Sequence, residues 1–191
     1  MKSPSSNCHL EEQLKSSAEE LRRLLIGLPD HEAITDVFDY ILGALYGLTK
    51  AIELGFVNRA VLWHETYRPH LPQYVERITK DQAVNKRWLA GFYFNSAIQR
   101  IAASYDRVPK LIRAEGRSAR QRMKAANTGQ FAAWDKVYEE INSYKHDTSG
   151  RAAGRTVTLE DAVAAFEELV TLLKLSEHKL HSLYAPAVRN H

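Results

Sequence analysis

The chain has 191 residues, a formal net charge of +3 and 45% hydrophobic residues, enough for one domain with a real core and short for two. Its one cysteine, Cys8, excludes an internal disulfide framework, and no stretch approaches the roughly 20 apolar residues of a membrane helix. The opening MKSPSSNCHLEEQ lacks a secretory apolar core, so a reducing, cytoplasmic setting without a membrane partner is expected.

Helical periodicity runs through nearly every segment, and strand-like alternation is absent. Leu14, Ala18, Leu21, Leu24 and Leu25 stripe a first helix over 10–26, stopped by Gly27 and Pro29. Asp30 is the expected N-cap of a second helix reaching about Leu54, with Ile34, Phe38, Ile41, Leu42, Leu45 and Leu48 inward and Gly55 as its stop. Residues 56–84 carry Pro69 and Pro72 and predict one or two short helices around a turn. A third long helix starts near Asn85. Trp88, Phe92 and Tyr93 crowd several of its faces before Phe94, Ile98, Ile101, Tyr105 and Val108 form one stripe, which suits a central position. Pro109 is expected to kink or end it.

Residues 116–130 read as a charged connector with room for a helical turn. A fourth helix over 130–146 turns Phe131, Trp134, Val137, Tyr138, Ile141 and Tyr144 inward. After a Gly-rich loop, Thr158 and Asp161 are spaced as a capping box, opening a fifth helix that reaches about Leu183. The fold class predicted is all-α: a single domain over 1–191, a bundle of about five main helices plus short ones. Its core is expected over about 10–185, with loose ends at 1–8 and 186–191.

Chemistry concentrates where EEINSYKHD ends the fourth helix. Asn142 and His146 are four apart and share a helical face, with Lys145 beside them. An imidazole that exchanges a proton near neutral pH, an orienting amide and a phosphate-holding cation are what metal-independent RNA cleavage needs. The same residues also make an ordinary helix end, since Lys and His favour the negative end of the helix dipole. Arg100 and Arg107, seven apart, share a face of the third helix, next to a polar row of Asn95, Gln99 and Asp106 that reads as a site or an interhelical network. Basic loops carry Arg117 and Arg120 on one side and Arg151 and Arg155 on the other, placed to hold a phosphate backbone or simply to be solvated. His178 and His181 are three apart, but nothing in the spacing supplies the further ligands a metal needs, so neither metal nor cofactor is expected.

GFYFNSAIQRIAASYDRVPKLI (91–112) and EEINSYKHD (139–147), in that order and before a capped last helix, resemble the HEPN superfamily of helical bundles. The resemblance implies a HEPN-like fold, a homodimer with composite sites at its interface, and a setting in defence, toxin–antitoxin or RNA-processing systems. Many such proteins are metal-independent ribonucleases, marked by an Arg, a polar residue and a His. Asn142 and His146 match the last two, but the Arg position falls near Glu140 or Ile141, and neither is Arg.

That departure places a non-catalytic module binding RNA, a nucleotide or a protein partner ahead of a metal-independent endoribonuclease using His146, Asn142 and Lys145. A metal-dependent helical enzyme, with a third ligand near His178 and His181, is the remaining reading. Tyr93, Tyr105, Tyr138 and Tyr144 are expected to line the dimer interface.

Overall fold

The computed structural model describes residues 5–56, 80–126, 131–146 and 157–185, with side chains except at 5–7, 84 and 144–146. Seven helices occur among them and no strand: α1 (Ser5–Gly27), α2 (Glu32–Glu53), α3 (Gln82–Leu111), α4 (Ala119–Ala126), α5 (Ala132–His146), α6 (Leu159–Leu175) and α7 (Glu177–Tyr184). The fold is therefore an all-α bundle. The short helices expected over 56–84 fall almost wholly outside the described residues.

α3 packs against α2, α4, α5 and α6, while α6 also meets α1, so two helices share the centre rather than one. Their apolar faces are fully buried: Phe94, Ile98, Ile101 and Val108 from α3, and Val163, Phe166, Leu169 and Leu173 from α6. The α2–α3 pairing is the most extensive in the bundle, and glycine makes it close. A Cβ on Gly47 would stand 2.8 Å from the Tyr93 carbonyl oxygen, and one on Gly43 would stand 2.6 Å from the Arg100 guanidinium.

Several boundaries depart from the sequence reading for local reasons. The N-cap of α2 is His31, not Asp30: its extended backbone lets Nδ1 accept from the Ala33 N–H at 3.1 Å. Leu42 is 41% exposed rather than inward. Pro109 lies inside α3, which ends two residues later at Leu111. Ser176 divides the last helix into α6 and α7, and the Tyr184 hydroxyl ties α7 back by donating to the Leu111 carbonyl at 2.8 Å. The 116–130 connector holds a full α4, anchored by buried Met123. The capping box stands as read: Thr158 Oγ1 accepts from the Asp161 N–H, and Asp161 accepts from the Thr158 N–H.

α5 is seated by contacts from both α3 and α6. Trp134, wholly buried, donates from Nε1 to the Ile101 carbonyl at 2.8 Å. Glu168 of α6 accepts from the Ala133 and Trp134 N–H groups at 3.2 and 2.7 Å, satisfying first-turn donors that have no partner within the helix. Tyr105 of α3 donates to Asp135 and stacks on Tyr138 at 4.2 Å between ring centroids.

Candidate functional site

A groove of about 400 Å³ opens between α3 and α5. Ala102, Ala103, Asp106, Arg107 and Lys110 form one wall, and Tyr138, Ile141 and Asn142 form the other. The spacing of Ala103, Asp106 and Lys110 puts them on one face of α3, and Tyr138 and Asn142 are likewise four apart on α5. Buried Trp134 and the Tyr105–Tyr138 stack fix the distance between the walls.

Charge in the groove is unevenly compensated. Asp106 accepts from Lys110 Nζ at 2.5 Å and from Arg122, whose Nε lies 3.1 Å away and whose second contact is through Nη2. Burial works against its ionisation, but the Arg122 and Lys110 hydrogen bonds and charges outweigh it and hold the carboxyl below its ordinary value. Asp106 is therefore ionised at neutral pH and is no proton donor. Arg122 also donates to the carbonyls of Gly116 and Arg117 at 2.9 and 3.1 Å, closing the loop where Arg113 and Gly116 take positive φ.

Arg107 is held differently. Its guanidinium lies over the Tyr40 ring of α2 at 3.8 Å from the centroid, and Arg100 approaches the same ring at 5.6 Å. Neither arginine makes an ion pair among the described residues. A ring face attracts a cation without neutralising it, so Arg107 reaches the groove oriented and with its charge available. One carboxylate thus serves two cations, and a third is left over.

Arg107, Asp106 and Asn142, named from the sequence, meet in this groove, and α5 ends at His146 one turn beyond Asn142. The side chains of Lys145 and His146, and the whole of Arg151 and Arg155, lie outside the described residues. No histidine lines the groove among the described residues. Arg120 is on α4, ion-paired with Glu139 of α5, and Arg117 is exposed in the preceding loop. Asn95 is a half-buried member of α3 whose Oδ1 has no hydrogen-bond partner among the described residues, away from the groove wall.

Asp106 joins an ion-pair network with Lys110 and Arg122, the interhelical network that the polar row allowed for. Tyr105 is only 3% exposed, so it belongs to the bundle's interior and not to a dimer interface. Burial first, then its bond to Asp135, raises its pKa, which keeps it a neutral donor. Lys110 and Tyr40 are participants the sequence reading missed. The four-residue Asp106–Lys110 spacing carried a signal for the first, while Tyr40 is a partner by tertiary contact alone.

No group of three or more His, Cys, Asp or Glu side chains able to hold a metal occurs among the described residues, so His178 and His181 have no third ligand there. Among the described residues no helix is long and apolar enough to cross a membrane. No protein-family model, curated protein or solved structure matches this chain.

Proposed function

We propose that the protein is a non-catalytic, HEPN-like helical module that binds a phosphate-bearing ligand, RNA or a nucleotide, in the groove between α3 and α5. One observation carries this reading: Arg107, oriented by Tyr40 and without a carboxylate partner among the described residues, faces the same groove as Lys110 and Asn142. A cation whose orientation is already fixed gives up little freedom on taking a phosphate. The amide of Asn142 offers both a donor and an acceptor to a phosphate or a ribose hydroxyl. The missing signature arginine and the ionised state of Asp106 both favour binding over cleavage. The resemblance adds a homodimer and a role in a defence or toxin–antitoxin type system to the proposal.

Fluorescence anisotropy with a labelled short RNA and with a labelled nucleotide tests it. Binding is expected to weaken as salt rises, and Arg107→Ala is expected to lower affinity about ten-fold, the scale of one charge-assisted hydrogen bond. No binding of either probe, or unchanged affinity in Arg107→Ala, overturns the reading.

A metal-independent ribonuclease is the second reading, favoured by one placement: α5 brings Asn142 to the groove and ends at His146. RNA cleavage that persists in EDTA and disappears in His146→Ala would establish it in place of the first.

A further inference from the structure

The groove is one end of a longer surface. On α3, Tyr93, Arg100 and Arg107 recur every seven residues and so follow one face. That face meets α2 along the seam opened by Gly43 and Gly47. Along this seam a cluster of rings leads to two cations that share a further ring, Tyr40. Tyr46 packs edge-on to Tyr93 at 5.8 Å, Phe92 meets Tyr93 at 5.8 Å, and Trp88 stacks on Phe92 at 5.5 Å. Arg100 and then Arg107 lie over Tyr40, and Arg107 opens into the α3–α5 groove. Tyr46 is 55% exposed and Phe92 49%, an unusual amount of ring surface to leave in water. Lys50 lies 5.7 Å from the Tyr46 ring centroid, with Glu53 as its counter-ion. Asp36 and Asp39 stand on the same stretch of α2, exposed, and bridge neither arginine.

From this we infer that the α2–α3 seam is a track for single-stranded RNA, its bases stacking on Tyr46 and Phe92 and its phosphates passing Arg100 to Arg107 and into the groove. The inference rests on the groove binding a phosphate-bearing ligand, and it extends that site into a path. Aromatic platforms followed by arginines accept unstacked bases without reading sequence, because every base has a π face. A duplex hides those faces, so the track selects single strands. Exposed rings and arginines also mark protein–protein contacts, but two arginines without acidic partners among the described residues, leading into a groove that holds Lys110 as well, favour a polyanion. The exposed amide of Asn142 at the groove end is positioned to bond a ribose hydroxyl, which favours RNA over DNA. Tyr93 to Arg107 spans 14 residues of helix, about 21 Å. That is room for about six bases at the stacked spacing of about 3.4 Å.

The test compares labelled U-rich RNA of two and of eight nucleotides, by anisotropy, on wild type and on Tyr46→Ala/Phe92→Ala. Both substituted residues are exposed, and a thermal melt checks that the variant folds. Wild type is expected to bind the octamer more tightly than the dinucleotide and more tightly than a duplex or the DNA octamer. The variant is expected to lose about five-fold or more of octamer affinity, the scale of one lost base stack. Equal affinity of wild type for the two lengths, equal affinity for duplex, or full octamer affinity in the variant overturns the track while leaving the groove in place. Equal affinity for RNA and DNA octamers overturns the preference for RNA. Absence of binding to both lengths overturns the groove and the track together. A variant that changes oligomeric state with octamer affinity intact identifies the patch as a contact between copies instead.

Discussion

Asp106 shows how one side chain can be both part of a groove and part of the scaffold. It neutralises Lys110 and clasps Arg122, and Arg122 in turn closes the loop between α3 and α4. Asp106→Asn is expected to cost about 1 kcal/mol, because the pairs are partly solvated. The pH dependence has a definite sign. A carboxyl whose folded pKa lies below its unfolded value stabilises the fold above the unfolded value, and that contribution is lost as pH falls through the folded one. Thermal melts of wild type should therefore fall below about pH 4, and Asp106→Asn should show a shallower decline. Asp161 is depressed in the same direction, against its own burial, by Lys136 and the Thr158 cap, so it contributes to the residual slope. At this scale the sequence was informative where spacing carried the interaction. Arg100 and Arg107 were placed on one face by counting, but Tyr40 was not, because a cation over a ring on another helix leaves no periodicity.

The close approach of α2 to α3 requires a small residue at position 47. Gly47→Leu would drive a side chain into the Tyr93 backbone, which cannot yield as a flexible side chain can. Denaturant unfolding is expected to show a loss of about 3 kcal/mol or more, and Gly47→Ala a smaller loss. The end of α5 nearest α6 depends on Glu168. Glu168→Ala leaves the Ala133 and Trp134 N–H groups without their acceptor and is expected to cost about 1 kcal/mol. The identity of the main helices was legible, since apolar period and stop residues are local, whereas α4 was read only as a connector with room for a helical turn. The division at Ser176 was not legible, because apolar period continues across it. His31 displaced Asp30 as N-cap because the cap is chosen by backbone geometry at the turn, and both residues have a side chain able to accept.

For the whole molecule, Trp134 links the site to the core. It is buried, bonds the Ile101 carbonyl and sets α5 against α3, so the groove exists only where this packing does. Trp134→Ala is expected to cost about 3–5 kcal/mol, a large part of the total stability of a domain of this size. Trp134→Phe keeps much of the volume and removes only the indole bond to the Ile101 carbonyl, which keeps its own helix's donor, so it should cost about 1 kcal/mol. Equal losses in the two, read by chemical denaturation, would show that the hydrogen bond rather than the volume holds α5.

By itself the sequence determined the class of the fold, the order of its main helices, the Thr158 capping box and the shared face of Arg100 and Arg107. These follow from period and spacing, which act over a few residues. Only the tertiary structure decided that Arg107 and Asn142 share a groove, that Asp106 is committed to Lys110 and Arg122, that Tyr105 is interior, and that Tyr40 underlies both arginines. Those relations join residues far apart in the chain, and packing of the helices, with glycine setting how close α2 and α3 approach, is what brings them together.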